Sequence, residues 1–235
     1  MSEISKTADK ALAILIELSD GGSATPQQLS QRMKVNRTVV QRLLMTLLLR
    51  GFVRRHGGEY ALAPQMSRLA EAVQPELRQA TRVQLSTLSK KFGETVVLQI
   101  LDGDEAVVLA EKVPTSEMSL QVRHDVGSRS PIDSSASGLA ILALLPEAVR
   151  DRLTRDGVID ARLHARLDEI RAAGFAQTSD ELQTGVSGLA VPFVMGEVVA
   201  SIAILVPTLR AGSLLDLLPE LQRHVARSEA KLRQL

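Results

Sequence analysis

The chain of 235 residues is 45% hydrophobic, has a formal net charge of +1 and contains no cysteine. This length and composition suit one large domain or two smaller ones. Without cysteine there is no disulfide, no cysteine-ligated metal and no thiol nucleophile. No segment has the pattern of a signal peptide or a membrane span, so we expect a cytoplasmic protein that does not enter a membrane.

The charges divide the chain into two parts. Residues 1–74 contain ten Lys or Arg and six Asp or Glu, a net charge of +4, whereas residues 75–235 contain eighteen and twenty-one, a net charge of −3. Residues 21–58 contain seven Lys or Arg and no acidic residue. This asymmetry indicates that the N-terminal part binds a polyanion.

The N-terminal part has the element order of a winged helix-turn-helix. Apolar residues at helical spacing predict a first helix over residues 7–18. Thr25 and Gln28 have the spacing of a capping box and predict a second, short helix that ends near Met33. A third helix is predicted over residues 37–50. Strands at 52–55 and 59–62, joined at His56-Gly57-Gly58, then form a hairpin, the wing.

The outward face of the third helix has the chemistry of a DNA recognition helix. Its Arg and Gln side chains match the polar edges of guanine and adenine, while Thr38 and Val39 can contact a thymine methyl group. Arginines of the wing suit phosphates or the minor groove. We therefore expect a double-stranded DNA operator as partner. The candidate DNA-binding residues are Thr25, Lys34, Arg37, Thr38, Val39, Gln41, Arg42, Arg54 and Arg55.

The remaining chain predicts an α+β fold. Helices are predicted at residues 65–73, 76–92, 136–145, 147–154, 161–173 and 213–235. Strands are predicted at residues 95–101, 106–113, 119–123, 174–176, 188–194 and 197–206. Leu77, Ala80, Val83 and Leu88 are expected to face inward from the helix at 76–92. Strands in two hairpin groups with helices between them describe an antiparallel sheet covered by helices.

Several short segments, spread in order over nearly the whole chain, resemble a known family. They are residues 10–15 (KALAIL), 42–44 (RLL), 51–53 (GFV), 93–96 (GETV), 126–129 (VGSR), 180–182 (DEL), 185–186 (GV) and 190–192 (AVP). Together they resemble the IclR family of bacterial transcriptional regulators. The resemblance implies a DNA-binding domain over residues 1–64, a linker helix over 65–75 and a GAF-like effector-binding domain over 76–235. It also implies a homodimer or homotetramer. We expect no cofactor.

The resemblance also implies where an effector binds, against one face of the sheet and under residues 132–139. Compared with family members that bind glyoxylate, Thr178, Ala203 and Leu205 are less polar, which favours a larger organic acid, such as an aromatic one. Backbone N–H groups near Ser135 suit its carboxylate. The alternative for any of these residues is a place in the core. The candidate effector-binding residues are Val122, Ser135, Ala136, Ser137, Thr178, Val186, Gly188, Ala203 and Leu205.

Two other classes of function are alternatives to a ligand-responsive regulator that represses a catabolic operon. An enzyme would recruit a set of polar residues together with a histidine: Asp133, Ser134, Ser135, Ser137, Asp180 and Glu181. However, there is no G-x-S-x-G segment, and the four histidines lack metal-ligand spacing. We therefore expect neither catalysis nor a metal site. The second alternative is a DNA-binding or protein-interaction module without a ligand, and the acid-free basic stretch favours DNA over protein as its partner.

Overall fold

A computed structural model describes residues 4–115, 120–153 and 161–234. Contacts within the chain separate it into two compact units, Met1–Pro75 and Glu76–Leu235. Among the helices of these described ranges, none combines the length and apolar character that a membrane crossing requires.

The N-terminal unit has the predicted winged helix-turn-helix fold. Thr25 and Gln28 form the predicted capping box: the Gln28 N–H donates to Thr25 Oγ1, and the Thr25 N–H donates to Gln28 Oε1. A two-residue turn at Gly57-Gly58, with Gly57 at φ +58°, joins the strands of the wing. The elements are α1 (Lys6–Gly21), α2 (Pro26–Met33), α3 (Arg37–Leu49), β1 (Val53–His56), β2 (Glu59–Leu62) and α4 (Gln65–Glu71).

Backbone pairing fixes the wing to the helices. The Ala24 N–H donates to the Tyr60 carbonyl at 2.9 Å, and the Tyr60 N–H donates to the Ala24 carbonyl at 2.8 Å. Ile14, Leu29 and Leu44, one from each of the first three helices, are fully buried in the core of the unit. Because this core uses only the inward side of α3, its outward side remains open to solvent.

The C-terminal unit is built on an antiparallel sheet, which confirms the predicted α+β class. In the described residues the strand order is β5-β4-β3-β8-β7-β6. The helices are α5 (Pro75–Phe92), α6 (Ala136–Leu144), α7 (Glu147–Leu153), α8 (Ala161–Ala173), a 3₁₀ helix (Thr208–Leu217) and α9 (Leu218–Leu232). The strands are β3 (Thr95–Asp102), β4 (Glu105–Lys112), β5 (Arg129–Pro131), β6 (Ala176–Ser179), β7 (Val186–Met195) and β8 (Val198–Pro207).

Small residues let α6 lie close to one face of this sheet. Val97, Ala203, Ala190 and Ala176 are cross-strand neighbours in one row through β3, β8, β7 and β6, and they belong to the same buried cluster as α6. Helices α5 and α9 cover the opposite face in a second cluster. The sheet is therefore apolar on both faces, and the start of α6 is held above β7 and β8.

One prediction about a helix needs correction. Val83 was expected to face inward, but its side chain is 54% exposed. The buried stripe of α5 includes Leu77, Thr81, Leu85 and Leu88. Val83 lies three residues after Ala80 but five before Leu88, so a helix with 3.6 residues per turn cannot present all of them on one face. The predicted helices at 147–154 and 213–235 end on Thr154 and Leu235, which lie outside the described residues.

Two predicted strands also differ. Of the strand expected at residues 119–123, Ser119 lies outside the described residues, and residues 120–123 are not a strand. The edge strand next to β4 is β5 instead. The strand expected at residues 174–176 begins only at Ala176, because Gly174 has φ +75° and forms the turn after α8.

Candidate DNA interface and effector cavity

The turn between α2 and α3 exposes the beginning of α3. Lys34 takes the left-handed conformation at φ 52° and ends α2, and its N–H donates to the Gln31 carbonyl. Asn36 then caps α3, with its Oδ1 accepting a hydrogen bond from the Thr38 N–H at 2.8 Å. Arg37, Thr38, Gln41 and Arg42 are all exposed on the outward side. These are the positions from which a recognition helix reaches base edges.

Two open grooves run along the sides of α3. The first is lined by Thr25, Arg37, Gln41 and Arg55, together with Tyr60 and other residues. The second is lined by Thr38, Val39, Gln41 and Arg42 and by two lysines of α1. The structure thus places seven of the nine predicted DNA-binding residues around these grooves, whereas Lys34 and Arg54 are exposed outside both.

One wing arginine is held in position by its own hairpin. The Arg55 Nε–H donates to the Gly57 carbonyl at 3.1 Å, and the guanidinium lies 5.7 Å from the centre of the Tyr60 ring, within range of a cation–π interaction. The Thr25 hydroxyl, in contrast, takes part in the capping box. Thr25 therefore positions α2, while Arg55 directs a positive charge into the groove.

Lys6 and Lys10 are basic residues that the sequence analysis did not select. They lie in α1, four positions apart, which places them on the same helix face. They line the groove that also contains Arg42. Their spacing was visible in the sequence, but their proximity to α3 depends on how the helices pack.

The C-terminal unit encloses a cavity between its sheet and the start of α6. It includes eight of the nine predicted effector residues: Val122, Ser135, Ala136, Ser137, Thr178, Val186, Gly188 and Leu205. Ala203 does not line it and lies fully buried in the cluster that also contains α6. The remaining lining residues were not predicted: Val97, Gln99, His124, Leu182 and Gln183.

Two buried polar atoms of the cavity lining lack hydrogen-bond partners within the described part of the chain. They are Ser137 Oγ and Gln99 Oε1, on side chains that are each 2% exposed. The hydroxyl of Ser135 differs, because it accepts a hydrogen bond from the Gly138 N–H at 3.1 Å as the cap of α6. Because a buried polar atom without a partner costs about 1–3 kcal/mol, these two atoms call for an explanation.

A loop of residues 120–124, here named the covering loop, contributes Val122 and His124 to the cavity lining. Thr95 Oγ1 donates to the Val122 carbonyl at 2.6 Å, and Glu111 Oε1 accepts a hydrogen bond from the His124 N–H at 2.7 Å. Burial lowers the pKa of the His124 imidazole, although the Glu111 and Asp125 carboxylates partly oppose this shift. The imidazole is therefore neutral at pH 7.

An ion pair holds the start of the covering loop. Arg210 donates to both carboxylate oxygens of Glu94, at 2.7 and 2.9 Å, and to the Leu120 carbonyl at 3.1 Å. These hydrogen bonds to the Glu94 carboxylate raise the pKa of the Arg210 guanidinium. The loop is thus joined to the start of β3 and to the 3₁₀ helix.

The cavity itself has a volume of about 30 Å³. This is room for about two water molecules, whereas sites for organic ligands usually measure about 300–1,000 Å³. An organic effector therefore requires the lining to move apart.

Several of the residues considered for catalysis have structural partners. Ser134 Oγ donates to the Pro131 carbonyl at 3.0 Å. Asp180 Oδ1 accepts hydrogen bonds from the Gly185 N–H and from Thr208 Oγ1. Glu181 forms a two-point ion pair with Arg166. Within the described ranges, no group of His, Asp and Glu has the arrangement of a metal site.

Comparisons with known proteins agree with both units. The IclR helix-turn-helix domain matches residues 7–57, and the C-terminal domain of bacterial IclR transcriptional regulators matches residues 70–227. The HTH-type transcriptional regulator Rv1719 of Mycobacterium tuberculosis is 32% identical, over 79% of this chain and 75% of its own. The HTH-type transcriptional regulator KdgR of Escherichia coli is 28% identical, over 96% of this chain and 89% of its own.

The fold is also found in solved structures. An IclR homologue from Microbacterium hydrocarbonoxydans, crystallised in complex with 4-hydroxybenzoate, superposes with a TM-score of 0.82 over 98% of this chain and 100% of its own, at 20% identity. At this identity the comparison establishes a shared fold. From the two domain matches and the relatives, the chain belongs to the IclR family of bacterial transcriptional regulators, with a helix-turn-helix DNA-binding domain and a C-terminal effector-binding domain.

Proposed function

We propose that this regulator represses a catabolic operon and leaves its operator when a small organic acid enters the cavity beside α6. The observation that carries the proposal is the buried Ser137 hydroxyl, which has no partner in the described chain and lies in the lining of the cavity at the start of a helix. Regulation requires that the acid bind one conformation more tightly than the other.

The operator is bound through α3 and the wing. Arg37, Gln41 and Arg42 supply hydrogen-bond donors for base edges, while Arg54 and Arg55 neutralise phosphates. All nine residues predicted from the sequence remain in this proposal. Thr25 acts by fixing the start of α2.

The acid is bound with its carboxylate at the start of α6. The first N–H groups of a helix have no acceptor within the helix, and the helix dipole favours an anion there. Ser137 Oγ adds a donor, while Val97, Val186 and Leu205 contact the apolar part of the ligand. An aromatic acid suits this lining, and the 4-hydroxybenzoate complex of the Microbacterium hydrocarbonoxydans homologue supports that ligand class.

Ser137→Leu tests the effector site. The larger side chain fills a cavity of about 30 Å³, so we expect the effector response to be lost while operator binding without effector changes less than about twofold. The operator is first selected from random duplex DNA with the wild-type protein. Gel shifts then measure its release by benzoate, by 3- and 4-hydroxybenzoate and by aliphatic monocarboxylates, and calorimetry measures acid binding.

Ser213→Leu is the matched control, because Ser213 is an exposed serine outside the cavity of the same unit. It should respond to the acids as the wild type does. If Ser137→Leu binds them with wild-type affinity, the effector site lies elsewhere.

We further propose that the protein binds its operator as a homodimer, with one recognition helix from each protomer. One such helix reads only a few base pairs, and a dimer reads two half-sites. Leu12 and Ile16 lie four positions apart in α1 and are 60% and 62% exposed. Two exposed aliphatic side chains on one helix face suit a homodimer contact through α1.

Ile16→Glu is expected to convert dimers of the wild type into monomers and to weaken operator binding, because it places a charge in the apolar contact. Sedimentation velocity at micromolar concentration measures the change. Leu209→Glu, at a residue 94% exposed in the C-terminal unit, is the control and should sediment as the wild type does. A monomeric wild type, with and without DNA, would contradict the dimer.

A further inference from the structure

Gln99 is an exception in the middle of the sheet. It lies in β3, where Thr95, Val96, Val97, Leu98 and Ile100 are all buried, and its own side chain is 2% exposed. It lines the cavity together with Val97, on the face opposite to Leu98. Its Oε1 has no hydrogen-bond partner among the described residues. The cavity lining therefore contains an amide oxygen that accepts no hydrogen bond from the described residues.

The neighbouring strand, β8, shows that a buried polar residue of this sheet can have a hydrogen-bond partner. Ser201 is the cross-strand neighbour of Gln99 and is fully buried, yet its Oγ donates to the Ser137 carbonyl at 3.3 Å. The packing of α6 on the sheet thus provides a hydrogen-bond partner for the buried Ser201 hydroxyl. Gln99 has no such explanation, and a buried amide without a partner lowers stability. A ligand that supplies the missing hydrogen bond accounts for its presence.

The charge of the lining limits what that ligand can be. His124 is the only ionisable side chain among the lining residues that the structure describes, and the lining has no Lys or Arg. The start of α6, Ser137 and this imidazole can stabilise one carboxylate. A second carboxylate beside Gln99 would face the acceptor Oε1 and no cation among the described lining residues, which would be strongly unfavourable. The group that meets Gln99 is therefore uncharged.

The two polar parts of the cavity lining, the start of α6 and Gln99, lie at different strands of the sheet. The start of α6 lies on β7, since a Cβ added to Gly188 would be 3.2 Å from Ala136 Cβ. Gln99 lies in β3, and β8 separates the two strands. Ser137, the second residue of α6, also reaches β8, since its carbonyl accepts a hydrogen bond from Ser201 Oγ, and Ser201 is the cross-strand neighbour of Gln99. The two polar groups of the ligand are therefore separated by a ring or a short chain.

We infer that Gln99 is a specificity-determining residue whose Oε1 accepts a hydrogen bond from an uncharged hydroxyl or amide N–H group of an effector carrying a single carboxylate. The inference rests on the proposed effector site beside α6. It assigns the ligand class as hydroxy or amide monocarboxylic acids and excludes dicarboxylic acids.

Binding to matched acids tests this inference in the full chain. Calorimetry compares benzoate, 3- and 4-hydroxybenzoate and terephthalate, and a second set compares hexanoate, 6-hydroxyhexanoate and adipate. In at least one set the wild type should bind a hydroxy acid about tenfold tighter than its parent acid, as expected for one buried hydrogen bond, and tighter than the dicarboxylate. In Gln99→Leu this preference should fall below about twofold, with the parent acid still bound.

Three results would overturn the inference: an unchanged preference in Gln99→Leu, a dicarboxylate bound as tightly as the hydroxy acid, or no binding of any acid in either set. Measuring operator release by the same acids distinguishes a failure of the Gln99 inference from a failure of the proposed function. If the acids release the wild-type operator complex and Gln99→Leu keeps the preference, only the inference fails. If Gln99 sets the preference but no acid affects the operator complex, only the proposed function fails.

A measurement without ligand tests the same assignment. Gln99→Leu removes an unpartnered amide and should raise the Tm by about 2–4 °C, whereas Ser201→Ala removes a partnered hydroxyl and should lower it by a similar amount. A fall in Tm for Gln99→Leu as large as that for Ser201→Ala would identify Gln99 as a structural residue and contradict a role in ligand recognition.

Discussion

Arg37→Ala is expected to weaken binding to the operator by about 5- to 150-fold, the range for one good base contact of 1–3 kcal/mol. Arg37 is the first residue of α3, is exposed, and lines the groove shared with the wing. Loss of its guanidinium should also relax discrimination at the base pair it contacts. Fluorescence anisotropy measures affinity for the selected operator, for operators with single base changes and for random duplex DNA.

Two other arginines are controls for this result. Arg50 is exposed at the far end of α3, and Arg50→Ala should change operator affinity little. Arg54 lies on the wing, and Arg54→Ala should weaken operator and random DNA alike and reduce the salt dependence by about 0.9 per phosphate contact. If Arg37→Ala weakens both kinds of DNA equally, Arg37 contacts the backbone and takes no part in base recognition.

Gly138→Ala is expected to destabilise the C-terminal unit by about 1–3 kcal/mol, the usual cost of overpacking a core. A Cβ at this position would lie 2.3 Å from the Ile132 carbonyl oxygen, which is backbone and cannot move as a side chain can. Either α6 or the chain before it must shift. For a protein of this size the Tm should fall by about 2–12 °C in calorimetry.

Gly212→Ala is the matched control. An added Cβ there meets no atom within 4 Å in the described chain, and Gly212 lies in the 3₁₀ helix of the same unit. It should keep the wild-type Tm within about 2 °C, because an added methyl group in open space changes stability little. If both variants unfold at the same temperature, the close approach of α6 to Ile132 does not limit stability.

The N-terminal unit could be predicted almost entirely from the sequence because its signals are local. The capping box at Thr25 and Gln28 and the turn at Gly57-Gly58 each depend on residues at most four positions apart. The recognition face of α3 follows from helical spacing alone. Lys6 and Lys10 were missed because their proximity to Arg42 arises from the packing of α1 against α3, which no local pattern encodes.

The cavity could be predicted only in part. The family resemblance indicated eight lining residues, but Ala203 lies in the core, because the row of small residues brings α6 down onto β8. Gln99 was visible as a polar residue in an apolar strand. Its significance depends on β8 and α6, which provide a partner for Ser201 and none for Gln99 within the described residues. Whether a buried polar side chain has a hydrogen-bond partner is decided by tertiary structure.

The narrow cavity and its hydrogen-bonded covering loop have a consequence for gene control. If the cavity is open in only a fraction of the molecules at any moment, the apparent Kd for the effector is the intrinsic Kd divided by that fraction. Each 1.4 kcal/mol by which Thr95, Glu111 and Arg210 hold the loop closed would raise the effector concentration needed for a response about tenfold. The target gene would then ignore trace levels of the effector and respond only once it accumulates, with the threshold set by residues that need never contact it.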